Sequence, residues 1–160
     1  MADIHRYEAK LRWTGAARGP TRSYAGYARD YLIEIPGKPP LAGSADVAFR
    51  GDPARHNPED LLVAALSACH LLTYLPLCAR AGIEVLAYAD RAGGTMTLAN
   101  GKMRFTEVLL RPEVTIGKGD LDRARALHEQ AHGECFIANS VSFPVRNQPT
   151  VRRAQSVAAE

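Results

Sequence analysis

The residues of this 160-residue chain with the widest chemistry open to them are three cysteines, Cys69, Cys78 and Cys135. They form no Cys-x-x-Cys pair, which argues against a zinc ribbon or a thioredoxin-like motif. In a reducing compartment three cysteines do not make a disulfide framework. Catalysis, redox sensing or plain burial is left to explain them. Cys69 falls on the apolar face of a long helical pattern, where a cysteine ordinarily serves as a small core hydrophobe. Cys135 follows Gly133-Glu134 just past a second helix, and its plain reading is a chance half-buried thiol. Cys78, near the end of the first helix, is read as structural.

Two cysteines of this kind can also run a redox cycle. The nucleophile is the thiolate, not the thiol. A nearby cation lowers the thiol pKa by favouring the charged form. A carboxylate can hold that cation, best as a bidentate arginine pair. Oxidation of the first thiolate by a peroxide gives a sulfenic acid, which a second thiol condenses to a disulfide before over-oxidation. Glu59 is the natural carboxylate, although a glutamate in a first helical turn also simply suits the helix dipole. Ten helical residues separate Glu59 from Cys69, about 15 Å. One side chain does not span that distance. If both serve one site, Glu59 comes from a second copy of the helix packed antiparallel about a two-fold axis, the commonest oligomer symmetry. Arg18, Arg22, Arg29, Arg50 and Arg55 all precede the helix, and each is equally at home on a solvated surface.

His128-Glu129-Gln130-Ala131-His132 matches the His-Glu-x-x-His string of zinc hydrolases, with two histidines at i, i+4. No histidine follows it, and His5, His56 and His70 lie well upstream. The string is short enough to arise by chance, and no metal or other cofactor is expected.

The elements that must position these residues start with a period-two pattern, Tyr7, Ala9, Leu11 and Trp13, read as a strand. Tyr31–Ile35 reads as a second strand and Ser44–Phe49 as a short third. Asn57-Pro58-Glu59 is a helix start, with Asn as cap and Pro in the first turn. Leu62, Ala65, Leu66, Cys69, Leu72 and Thr73 then share one helical face, and further apolar residues widen it into a central, buried helix. Pro76 should kink or interrupt the helix and Gly82 should end it. Strands are expected at Ile83–Tyr88, Gly94–Leu98 and Met103–Ile116, the last two joined by an Asn100-Gly101 turn. A second helix is expected from Asp120 to His132, stopped by Gly133. A last strand lies within Val141–Val151, weakened by Pro144 and Pro149, and the tail 152–160 should fray. This alternation fits one α+β domain over residues 1–160, not a doubly wound one.

Composition narrows the partners. An apolar share of 46%, a charged share of 23% and a formal charge of +3 are those of a globular protein with no basic run for nucleic acid. No stretch approaches 18 consecutive apolar residues, so no membrane span is expected. The first residues carry no signal-peptide pattern, which leads to an expected cytoplasmic location.

The segment Asn57-Pro58-Glu59-Asp60-Leu61-Leu62-Val63-Ala64-Ala65-Leu66-Ser67-Ala68-Cys69-His70 resembles the central helix of the OsmC/Ohr family. That pattern reads Asn/Ser-Pro-Glu-x-Leu, a small-residue run, then Ser/Ala-x-Cys. Ala131-His132-Gly133-Glu134-Cys135 is similar to the family's second cysteine segment, at a similar spacing from the first. The resemblance runs from the first strand to Val151. It implies an intertwined homodimer, with antiparallel sheets wrapped around two central helices and two sites at the interface. It implies reduction of organic hydroperoxides, and peroxide more generally, by a thiol reductant that is a dihydrolipoyl protein in many members. Cys69 would be peroxidatic, Cys135 resolving, and Glu59 would orient an arginine. Arg50, before the helix, matches one family branch, and Arg29, in an early hairpin, the other. Arg50 ranks first. Two positions depart from the pattern: His70 stands where an apolar residue is usual, and Phe136 where proline is frequent. A non-catalytic redox-sensing or small-molecule-binding dimer on the same fold is the competing reading.

Overall fold

The computed structural model describes residues 4–155. It is an α+β structure with two α-helices and three three-stranded sheets among the described residues. Its contacts divide into two compact units, Met1–Leu62 and Val63–Glu160.

In the first unit, β1 (Lys10–Trp13), β2 (Tyr31–Glu34) and β3 (Leu41–Gly43) form an antiparallel sheet. β1 is shorter than its alternation predicts, and all four of its residues are exposed. Ser44–Phe49, expected as a strand, is not one. Asp46 accepts a hydrogen bond from the Ala48 backbone N–H (2.7 Å) and caps a 3-10 turn at Val47–Phe49. This is the local competition that aspartate offers to extended backbone. Arg50 closes the turn in the left-handed region, at φ 65°. A parallel bridge from Gly43 to His56 and the Ser44 N–H to His56 carbonyl bond (3.0 Å) then set the entry to helix α1 (Pro58–Arg80). Asn57 caps it by accepting from the Asp60 N–H at 2.7 Å.

The second unit holds most of α1, helix α2 (Leu121–Glu134) and strands β4 (Glu84–Asp90), β5 (Gly93–Ala99), β6 (Lys102–Leu110), β7 (Pro112–Lys118), β8 (Val145–Asn147) and β9 (Thr150–Arg153). Antiparallel pairs β4–β7 and β5–β6 are each extended by a parallel partner, β9 on β7 and β8 on β6. Asn100 (φ 52°) and Gly101 (φ 74°) make the tight hairpin between β5 and β6. The expected single strand Met103–Ile116 is two strands in different sheets, broken before Pro112. The expected last strand is likewise two, β8 and β9. Arg152 and Arg153 continue β9 where the tail was expected to fray, and residues 156–160 lie outside the described residues.

Pro76 does not interrupt α1, which continues to Arg80. Its ring removes the hydrogen bond to Leu72, and both residues face outward. The helix stops in a Schellman motif: Ile83 N–H bonds the Cys78 carbonyl (2.9 Å) and Gly82 N–H the Ala79 carbonyl (3.1 Å), with Gly82 at φ 69°. Gly133 does not stop α2, which runs on to Glu134 with Cys135 as its C-cap.

The buried stripe of α1 is not the predicted one. Leu66, His70, Tyr74, Leu77 and Cys78 are buried, while Leu72 is 68% exposed. Leu66 packs with Val108, Leu110 and Val145 of the β5–β6–β8 sheet. Tyr74, Leu77 and Cys78 pack with Val114, Ile116 and Val151 of the β4–β7–β9 sheet and with Ala124, Leu127 and Ala131 of α2. The opposite flank, with Ala68, Leu72, Leu75, Pro76 and Ala79, is apolar and exposed. By length and composition alone α1 could cross a membrane, yet its buried stripe is packed into these two cores.

Candidate functional site

Cys69 lies on the flank of α1 between the buried stripe and the exposed apolar one, and is half-buried. Cys135 is 1% exposed, held by its position as the cap of α2. The two thiols are unbridged and near enough for Cys69 to act on the Cys135 thiol. Thus α1 and the end of α2 bring together two residues far apart in the chain. Burial, and then the neighbouring Cys69 sulfur, push the Cys135 thiol up to about 11, against the pull of the Ala138 and Ile137 amides. The Ile137 N–H also donates to Cys69 Sγ at 3.5 Å. The segment after Cys135 therefore turns two backbone donors toward the sulfur pair, a role no side-chain pattern reveals.

Cys69 opens into a groove of about 770 Å³. Ala65, Ala68, Leu72, Pro76 and Phe136 supply its apolar wall, and Arg80 and Glu134 its charged groups. Cys135 does not line this groove. Cys78 sits deeper, beside Tyr74, with its thiol pushed up by burial.

The other predicted residues belong to the first unit. Glu59 is half-buried in the first turn of α1, and its Oε2 is buried without a hydrogen-bond partner among the described residues. Its charge adds to burial in raising the Tyr31 phenol. Arg29 is already engaged. Its guanidinium donates to the Tyr27 carbonyl (2.6 Å) and the Tyr24 carbonyl (2.5 Å), and stacks over both rings at 4.0 and 5.0 Å. Arg50 is exposed, with no carboxylate in ion-pairing range among the described residues. Arg29 and Arg50 line one pocket of about 530 Å³, together with Arg18, which pairs with the buried Asp30.

The histidines are arranged differently from the zinc-hydrolase string. His128 turns into the core, where its Nδ1 meets His70 Nε2 at 2.9 Å. His132 stays half-buried, and no three His, Cys, Asp or Glu side chains come together as a metal site among the described residues. Sequence reasoning missed this pair. The available signal was His70 itself, in phase with Leu66, Tyr74 and Leu77 on the stripe that is buried.

The model of the family described as OsmC-like protein matches residues 51–148. An OsmC-like protein of unknown function from Vibrio cholerae O1 biovar eltor str. N16961 is 31% identical, with a TM-score of 0.81 over 92% of this chain and all of that one. An organic hydroperoxide resistance protein from Elizabethkingia anophelis shares the fold at 19% identity, with a TM-score of 0.66 over 96% of this chain and all of that one. The uncharacterized protein YmaD of Bacillus subtilis (strain 168) is 23% identical over 96 residues, 58% of this chain and 64% of that protein. The match thus spans less than two thirds of that relative.

Proposed function

Because this chain belongs to the OsmC-like protein family, we propose that it is a thiol-dependent peroxidase that reduces organic hydroperoxides. The observation that carries this reading is the nearness of a groove-facing Cys69 to a buried Cys135. The Cys69 thiolate attacks the distal oxygen of the hydroperoxide. The O–O bond breaks, the leaving alkoxide takes up the proton that the Cys69 thiol gave up and departs as the alcohol, and Cys69 becomes a sulfenic acid. Cys135 then attacks the Cys69 sulfur. The S–S bond forms, the S–O bond breaks, and water leaves. A dithiol, such as a dihydrolipoyl group, returns two electrons and restores both thiols. The apolar groove favours alkyl hydroperoxides over hydrogen peroxide, since its wall gains by contact with an alkyl chain.

The arginine that favours the thiolate is assigned to Arg50, with Glu59 to hold it. Glu59 offers a buried oxygen without a partner, which suits a guanidinium donor. Arg29 is the second choice because its donors are committed. The site is completed in a homodimer formed across the exposed flank of α1, where Leu72 and Leu75 would be covered. A cytoplasmic location suits the cycle, since a reducing pool keeps Cys69 and Cys135 as thiols.

One equivalent of cumene hydroperoxide added to the reduced protein tests the reading by mass spectrometry. A Cys69–Cys135 disulfide in wild type and a trapped Cys69 sulfenic acid in Cys135→Ser are expected. An unmodified Cys69 in both would overturn it.

A further inference from the structure

The His70–His128 pair lies outside this reaction scheme, and its surroundings are unusual. The rings are 1% and 0% exposed. They are parallel to within 9° at 5.3 Å, and His128 stacks on Tyr74 at 3.9 Å. One N–H···N bond of 2.9 Å joins them. Their outer nitrogens, His70 Nδ1 and His128 Nε2, are buried and without partners among the described residues. Leaving such groups unpaired is costly. Two leucines would fill similar space without that cost. A buried polar pair that weakens the fold is most useful where it fixes one arrangement among several.

What it fixes is visible in the chain. His70 follows Cys69 on α1, and His128 lies two turns before Cys135 on α2. Two hydrogen bonds cross-link the cysteine-bearing helices, the Tyr74 hydroxyl to the Ala124 carbonyl (3.1 Å) and His70 to His128, and the histidine bond is the one nearer both cysteines in the chain. Apolar contacts such as Tyr74 with Leu127 and Ala131 tolerate sliding, whereas a hydrogen bond weakens steeply once bent or stretched. A slip of α2 by one residue moves its end by about 1.5 Å. Misplacement on the order of 1 Å is enough to slow a reaction about a hundredfold.

We propose that the His70–His128 bond is a positioning device that holds Cys135 in register with Cys69 and sets the rate at which their disulfide closes. The inference rests on the peroxidase reading for its purpose, but its test does not need a peroxide. One equivalent of 5,5′-dithiobis(2-nitrobenzoate) converts Cys69 to a mixed disulfide and releases one thionitrobenzoate. Attack by the Cys135 thiolate forms Cys69–Cys135 and releases the second, and that release reports closure by absorbance. The double variant His70→Leu/His128→Leu keeps the volume and removes both polar partners. Its thermal midpoint should equal or exceed wild type, while closure slows tenfold or more. His128→Gln, whose amide can still reach His70, should close within threefold of wild type, and His128→Leu should be slow. The two single variants carry the test if the double variant does not fold. Closure within threefold of wild type in the folded double variant, or equal rates for His128→Gln and His128→Leu, would overturn the proposal. A wild type that closes quickly here yet consumes no peroxide would remove the peroxidase reading alone.

Discussion

Acidification should weaken this protein through the buried histidine pair, by an amount that can be worked out beforehand. Burial first, and then the neighbouring His70, push His128 from its ordinary value of 6.5 down to about 3. His70 is lowered as well, chiefly by burial. Asp90 and Glu129 act on His70 in the opposite sense and His132 in the same sense. With the folded value below the unfolded one, the unfolded chain takes up the proton first as pH falls. The stabilisation is therefore complete above pH 6.5 and is lost as pH falls from there toward 3. The slope approaches 1.4 kcal/mol per pH unit for each such histidine. Integrated from pH 7.5 to 5.0, His128 alone accounts for about 2 kcal/mol, a large share of an ordinary domain's 5–15 kcal/mol. Urea unfolding at fixed protein concentration across this range measures it. The curve for His70→Leu/His128→Leu should be flatter than wild type by at least this amount. Parallel curves would show that the pair is not held neutral by the fold, and the reasoning from its burial would fail.

Further outcomes follow from the same geometry. The rate of disulfide closure should rise about tenfold per pH unit between pH 7 and 9, because the Cys135 thiol, held near 11, gains thiolate throughout that range; release of the second thionitrobenzoate would follow it, and a flat profile would count against Cys135 as the attacking thiol. Leu66→Ala should cost about 2–5 kcal/mol in chemical denaturation, since Leu66 is fully buried between α1 and the β5–β6–β8 sheet. Leu72→Glu, on the exposed flank, should shift the protein from dimer to monomer in sedimentation velocity; a wild type that is monomeric would remove the dimer from the account. Arg50→Ala should slow the peroxide step about tenfold or more by withdrawing a cation from the thiolate, and Arg29→Ala should slow it less, as seen in single-turnover kinetics.

Signals that act through the backbone were legible in the sequence. Asn57-Pro58 starts α1, Gly82 ends it, and Asn100-Gly101 turns the β5–β6 hairpin, because each residue type suits a backbone conformation that few others adopt. Where the outcome depended on partners far along the chain, pattern reading failed. Met103–Ile116 looks like one strand, but Pro112 and two different neighbours, β8 and β9, divide it between sheets. The burial stripe of α1 was misplaced because the predicted face ran through Leu62, Cys69 and Leu72 and left out His70 and Tyr74. Each has its partner inside the fold, His70 at His128 and the Tyr74 hydroxyl at the Ala124 carbonyl, 3.1 Å away. Neither partner is legible from α1 alone. The site shows the same division. Cys69 and Cys135 stood out by type and context, while the Ile137 amide at the sulfur is a backbone feature that side-chain identities do not announce.

The most direct test of the central claim is steady-state consumption of cumene hydroperoxide and of hydrogen peroxide, with dihydrolipoamide as reductant, by wild type and Cys69→Ser. Rapid loss of the organic peroxide, slower loss of hydrogen peroxide and no turnover by Cys69→Ser are the predicted results. Full activity in Cys69→Ser, or no consumption of either peroxide by wild type, would contradict the account and leave the paired thiols to sensing or binding.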